Sequence, residues 1–251
     1  MNNLKRALVA TVLTAGVSLE TVGTAKAATL VVPTNLANTE GDSVANIASN
    51  TTSLGRFQQV FAGTEFSPNP QYITQIAFRP DGPTGNSFTG AFPNINISLS
   101  TTQSSPISLS STFAQNLGID NQVVFSGALN LSSSNTASGV GTKNFDVVIN
   151  LQTPFLYNPT AGNLLYDSLF LQPSVVVGND NVDATSSSAV VASVTSLFTG
   201  SPVNGTSLPG VGIVTQFTTT PVPEPSSTLG IVVLATVCAG AIVNRKLRKH
   251  N

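Results

Sequence analysis

From Arg56 to Phe217 the chain repeatedly alternates apolar and polar positions with a period of two, and the runs are separated by Gly, Pro, Asn and Ser. That spacing predicts strands, because successive side chains of an extended backbone point to opposite faces, whereas a helix repeats every third or fourth residue. Asn94 to Ser100 is the clearest case, with Ile95, Ile97 and Leu99 facing away from Asn96 and Ser98. Tyr72 to Phe78 places Tyr72, Thr74, Ile76 and Phe78 on one face. Val123 to Leu131 groups Val123, Phe125, Leu129 and Leu131, and Phe145 to Leu151 groups Phe145, Val147, Ile149 and Leu151. Weaker strands are predicted over Arg56 to Phe61, Leu164 to Leu171, Val190 to Leu197 and Val211 to Phe217. About eight such strands with turn residues between them predict an all-β domain, a two-sheet antiparallel β-sandwich of jelly-roll-like form.

Turn chemistry marks Asp81 to Asn86, Pro159 to Asn163 and Gly200 to Gly205 as loops. The Ser-, Thr- and Ala-rich stretches Ser132 to Gly141 and Asp183 to Ser188 predict mobile loops rather than packed elements. Asn35 to Thr52 fits either a polar N-terminal arm or a poorly patterned first strand.

The two ends break this pattern. Lys5 and Arg6 precede a mostly apolar run from Ala7 to Leu19, followed by Ala25-Lys26-Ala27. Charge, apolar run and a small-x-small site in that order predict a signal peptide over 1–27, cleaved after Ala27 or Ala28 by signal peptidase once the Sec translocon has exported the chain. At the other end, Thr228 to Val243 is uncharged and rich in Leu, Val, Ile, Ala and Gly. At about 1.5 Å per residue it is just short of a typical hydrocarbon core, so a transmembrane helix over 228–243 needs snorkelling flanks or a thinned bilayer. Arg245, Lys246, Arg248 and Lys249 follow in the tail 244–251, a basic cluster that the positive-inside bias keeps cytoplasmic. Both ends predict one orientation, with the domain 28–220 outside.

Between them stands 221–227, PVPEPSS. Pro221, Pro223 and Pro225 forbid continuous helix or central strand, so this is a stiff extended stem with Glu224 as its one side-chain charge. Pro223-Glu224-Pro225, then a short apolar helix, then an Arg/Lys cluster, resembles the PEP-CTERM sorting tail of Gram-negative and cyanobacterial exported proteins. The resemblance covers roughly the last thirty residues. It implies an exosortase as partner, a membrane-embedded enzyme with a cysteine nucleophile that cuts near the motif. It also implies transient anchoring in the cytoplasmic membrane, then delivery to the cell surface or extracellular space. Within the domain, RFQQVF, ITQIAFRPDG, FDVVINLQTPFLYNP and GNLLYDSLF are similar to exported PEP-CTERM proteins with a β-sandwich ectodomain, a resemblance that implies no biochemical activity.

Composition narrows the function classes. Charged residues are 8% of 251, far below the roughly 25% of an average soluble domain, and Ser, Thr, Asn and Gln take the surface role. Between Ala28 and Val222 only Arg56, Arg79 and Lys143 are basic, against nine acidic residues, a formal charge of −6. Such a segment lacks the clustered Lys and Arg a nucleic-acid partner requires. The one cysteine, Cys238, sits in the apolar tail and the one histidine, His250, in the basic tail. The domain therefore has no disulfide, no Cys-His or Ser-His nucleophile and no histidine zinc site.

Two chemistries remain open. Glu65, Asp81, Asp146 and Asp167 are candidate carboxylates for glycoside hydrolysis, although no spacing pairs any two; Asp146 and Asp167 fall on or beside strands as ordinary solvent-facing residues. Asn179, Asp180, Asn181 and Asp183 concentrate oxygen ligands as a calcium loop does, without the Gly and distal Glu of an EF-hand, so a polar turn is the plainer expectation. There is no Trp, and Tyr72, Tyr157 and Tyr166 are the only tyrosines for stacking on sugars. The expectation is a non-enzymatic structural or adhesive protein of the surface or extracellular matrix, with no catalytic residues and no cofactor. A carbohydrate-binding module that takes a polysaccharide of the envelope or exopolysaccharide layer is the alternative, and an acid-pair glycosidase comes third.

Overall fold

The computed structural model describes residues 26–47, 54–197 and 200–222. Within these the chain forms fourteen strands: β1 (Ala28–Val32), β2 (Ser43–Asn46), β3 (Arg56–Phe61), β4 (Gln71–Phe78), β5 (Phe88–Thr102), β6 (Gln122–Ser133), β7 (Val147–Tyr157), β8 (Asn163–Phe170), β9 (Val175–Gly178), β10 (Asn181–Thr185), β11 (Val191–Thr195), β12 (Thr206–Pro209), β13 (Gly212–Ile213) and β14 (Thr215–Pro221). Helical geometry among the described residues is limited to 3-10 turns at Thr34–Leu36, Gly63–Glu65 and Phe113–Asn116. The fold is all-β.

The strands form a four-stranded sheet ordered β1-β14-β4-β7, a seven-stranded sheet ordered β12-β11-β3-β8-β5-β6 with β9 beside β5, and a small sheet ordered β13-β10-β2. Every strand pairing is antiparallel. One apolar cluster joins Ile73, Ile76, Ile149 and Phe217 of the four-stranded sheet to Phe61, Ile97, Leu99 and Leu164 of the seven-stranded sheet. The arrangement is consistent with a β-sandwich. Phe217 meets the ring of Phe61 edge-on at 5.0 Å, an inter-sheet contact of the kind that adds to plain area burial.

The alternation around Ile95, Ile97 and Leu99 is realised, all three being buried. Ser98 and Ser100 on the opposite face are buried too. A second cluster of Val60, Leu109, Phe113, Leu165, Ala192 and Val194 covers that side of the seven-stranded sheet. The segment 103–121 therefore roofs a face that alternation alone left to water.

Three predicted faces are corrected. In β4 the register slips at Thr74, so Ile73 and Ile76 both point into the core, and Tyr72 lies half-buried on the outer face instead of beside Ile76. A β-bulge adds one residue and reverses the alternation beyond it. The same happens in β6, where Ile97 pairs Phe125 but Ser98 pairs Val123. Val124 is thereby buried and Val123 turned out to 49% exposure. Phe145 lies before β7 rather than on it, under the Arg79 guanidinium at 5.0 Å.

Two predicted loops are corrected as well. Asp183 to Thr185 belong to β10 and are buried, because small side chains fit a covered strand and the Asp183 charge has a partner. Beyond Ser133, Ala137 bridges Lys143 as a short hairpin. The predicted strand Val211 to Phe217 divides into β13 and β14, with the Val214 N–H turned to the Asp183 carbonyl at 3.0 Å. Strands β1, β9 and β12 were not predicted, and β2 resolves part of the ambiguous Asn35 to Thr52 segment.

Candidate functional site

The densest polar chemistry lies where residues 36–41, the β4–β5 loop and β10 meet. Arg79 directly follows β4, and its carbonyl accepts the Asp183 N–H at 3.0 Å, which sets the two side chains next to each other. Asp183 Oδ2 accepts Arg79 Nε at 2.8 Å and Nη2 at 2.6 Å, and both side chains are fully buried. The rest of the guanidinium faces backbone carbonyls: Nη2, which also serves Asp183, lies 2.9 Å from that of Leu36 and 2.6 Å from that of Thr39, and Nη1 donates to that of Ala37 at 3.3 Å. A planar fork with five donors satisfies this ring of oxygens in a way no ammonium does. Arg79 is the resident cation of the cluster.

Three carboxylates surround it. One oxygen each of Glu40, Asp81 and Asp183 lies within 4.8 Å of the others. Each carboxylate also holds backbone: Glu40 accepts Gly82 N–H at 2.6 Å, Asp81 accepts Thr84 N–H at 2.7 Å, and Asp183 Oδ1 accepts Gly41 N–H at 2.9 Å. Burial pushes the Asp183 carboxyl up to about 6. The Arg79 bonds pull it the other way, and the Glu40 charge adds to the rise. Glu40 continues into an open groove of about 550 Å³ that Asp42, Glu65, Thr185 and Ser187 also line. Asp42 is held down to about 2 by the Ser187 hydroxyl and the Ser186 N–H.

The predicted calcium ligands fall beside this cluster but point several ways. Asp183 faces Arg79, while Asp180 is buried and accepts Asn46 Nδ2 at 3.2 Å. Asn181 donates to Thr84 Oγ1 at 2.8 Å, and Asn179 to the Thr84 carbonyl at 3.0 Å. Among the described residues, Glu40, Asp81 and Asp183 are the group of carboxylates close enough together to hold a cation jointly. The pattern search missed Arg79 and Glu40 as members; the available signal was an arginine immediately after an apolar strand, in a domain with three basic residues.

Asp167 is not solvent-facing as expected. It lies under the 103–121 roof and binds Arg56 through bonds of 2.7 and 2.5 Å, with the guanidinium 5.1 Å from the Phe113 ring centre. Asp146 is half-buried just before β7, and Glu65 accepts Thr34 N–H at 2.7 Å. Of the tyrosines, Tyr157 and Tyr166 are buried, which pushes both phenols up and removes them from any surface role. Tyr72 alone is only partly buried.

Ala28 opens β1, and Lys26 and Ala27 precede it. Ala25, the sorting motif Pro223-Glu224-Pro225, the apolar segment Thr228 to Val243 and the basic cluster lie outside the described residues. Among the described residues no helix is long and apolar enough to cross a membrane. Comparison with family models, curated proteins and solved structures finds no match for this chain.

Proposed function

We propose that the chain is an exported, exosortase-sorted protein of the surface or extracellular matrix, with a non-enzymatic structural or adhesive role. The observation that carries the non-enzymatic part is the employment of its carboxylates. Each of the nine between Ala28 and Val222 accepts a hydrogen bond that ties a loop or strand in place. Asp120 holds Thr101 N–H, Asp42 clamps Ser186 and Ser187, and Asp146 holds Ser133 and Ser134. Acid–base hydrolysis needs a pair poised on a substrate instead.

A jelly-roll-like sandwich is the finer fold we infer. The chain passes from β3 in the seven-stranded sheet to β4 in the four-stranded one, back to β5 and β6, across to β7 and back again to β8, which favours this connectivity. Export and sorting are supported by the order of signals at the two ends. In the sequence a short apolar run directly follows the Pro223-Glu224-Pro225 stem, which puts it within reach of a membrane-embedded protease, and Pro223 and Pro225 favour an extended backbone suited to a protease cleft.

The test is an immunoblot of membrane and extracellular fractions from the native host. Wild-type mature protein lacks Thr228 to Asn251 by mass spectrometry. Pro223→Ala with Pro225→Ala, or Glu224→Gln, leaves the protein exported but retained at anchored length. A wild-type product that keeps its apolar tail makes the tail a permanent anchor and overturns the sorting proposal.

A further inference from the structure

A line of uncharged hydrogen-bonding side chains crosses five neighbouring strands on the outer surface. It begins on β14, where Thr218 Oγ1 donates to Gln75 Oε1 of β4 at 3.0 Å, and Gln75 Nε2 donates to Asn150 Oδ1 of β7 at 2.8 Å. Two residues along β7, Gln152 turns the corner between the sheets. Its Oε1 accepts Ser126 N–H at 3.0 Å and its Nε2 donates to the Ser126 carbonyl at 3.1 Å, so a side chain supplies the ladder that β6 and β7 do not make. Ser126 Oγ then donates to Asn96 Oδ1 of β5 at 2.8 Å.

This belt has three properties of a built surface. Its amides are held in orientation by hydrogen bonds, Gln75 to Asn150 and both Gln152 and Asn96 to Ser126, so they lose little freedom on binding. Their remaining capacity faces outward: Asn150, Gln152 and Ser126 are exposed, and the Nδ2 groups of Asn150 and Asn96 have no protein acceptor among the described residues. Finally, Tyr72 lies beside the Gln75 end on the same face, paired across the ladder with Leu156, which is 48% exposed. An aromatic ring and an apolar neighbour next to a row of amides offer both things a sugar needs, a flat surface for its C–H face and partners for its hydroxyls.

Charge selects the occupant. None of the belt residues ionises, in a domain whose formal charge is −6. An anionic polymer meets no base there and is repelled by the domain as a whole. Neighbouring strands are about 4.8 Å apart, so the line runs on the order of 20 Å, the reach of a few linked sugars in an extended chain. We infer that this belt is the docking face for an extended neutral polysaccharide, with Asn150, Gln152 and Asn96 as hydrogen-bonding residues and Tyr72 as the stacking platform. The site names the polymer class an envelope-surface protein would contact, and in that sense rests on the proposed function. The two fail separately, since fractionation reports sorting and the following measurement reports binding.

Native affinity electrophoresis of the full chain in mild detergent, through gels holding hydroxyethylcellulose, galactomannan or alginate, tests it. At least one neutral polymer retards the wild type, and alginate does not. Asn150→Ala with Gln152→Ala weakens that retardation about tenfold; Asn96→Ala, at the far end of the line and outside the Gln152 clamp, weakens it in the same direction, and circular dichroism shows both variants folded at the temperature of the gel. Tyr72→Ala weakens it further. Migration unaffected by either neutral polymer, equal retardation by alginate, or variants that bind like wild type overturns the assignment.

Discussion

Gln59 closes a gap in the sheet around Ile213 with its own side chain. Its Nε2 donates to the Ile213 carbonyl at 2.8 Å and its Oε1 accepts the Ile213 N–H at 2.8 Å, so one carboxamide replaces a step of strand pairing. Gln59 and Ile213 are both buried. Replacing Gln59 by Leu strands a buried donor and a buried acceptor together, and we expect a loss of about 2–4 kcal/mol in urea unfolding. Gln59→Glu satisfies only the N–H and is expected to lose at least as much at neutral pH. A loss below about 1 kcal/mol for Gln59→Leu would show that water takes over both bonds.

The Arg79–Asp183 pair makes a second prediction. Arg79→Met takes from buried Asp183 the partner that favours its charged form and deprives the Leu36, Ala37 and Thr39 carbonyls of their donor. Breaking one side of such a pair typically costs about 3–5 kcal/mol. Asp183→Asn strands the guanidinium instead, at a comparable cost. The double replacement Arg79→Met with Asp183→Asn removes both charges and is expected to cost clearly less than the two single losses added together. Simple additivity in denaturant melts would mean that the two groups do not depend on each other.

Stability follows pH in a direction unusual for an acid in an ion pair. The Asp183 carboxyl titrates at about 6 when folded, against 3.8 for the unconstrained group. The native state thus holds this proton more tightly than the unfolded chain, and its contribution is greatest below the unfolded value and falls as pH rises to about 6. At about 1.4 kcal/mol per pH unit the fall amounts to roughly 3 kcal/mol. Asp42, held near 2, acts oppositely: its contribution is present above 3.8 and is lost as pH drops towards 2. Urea unfolding between about pH 3 and pH 8 should therefore show a decline from about pH 4 to pH 6 and a plateau above. Glu40→Gln removes a neighbouring charge and should flatten the decline. A stability that climbs from pH 4 to pH 6 refutes the assignment.

Two glycines are required by close backbone approach. A Cβ at Gly41 would stand 2.0 Å from the Ala184 carbonyl oxygen, and one at Gly118 would stand 2.0 Å from that of Thr101. Either alanine forces a loop away from its strand, with an expected loss of about 1–3 kcal/mol or more. Gly139 meets nothing within 4 Å, so Gly139→Ala serves as the neutral control. Equal melting temperatures for all three variants would contradict the packing at residues 41 and 118.

What local sequence determined is the strand class and the inward faces where alternation runs unbroken. Ile95, Ile97 and Leu99 are legible because the period of two is a property of the extended backbone itself. The same rule misplaced Tyr72 and Val123, since a bulge arises from pairing with a neighbouring strand and leaves no mark in the residues before it. Asp183 looked like a loop residue for a related reason. Its charge is tolerable in a buried strand only because Arg79 lies against it, and Arg79 is 104 positions away in the chain. Gln59 and Ile213 are 154 apart, and the belt from Thr218 to Asn96 draws on five strands. Polar side chains are read from sequence as surface by default, and only the fold decides which of them become each other's partners. The terminal signals are the reverse case, because charge, apolar length and proline stiffness act locally and need no tertiary contact to be recognised.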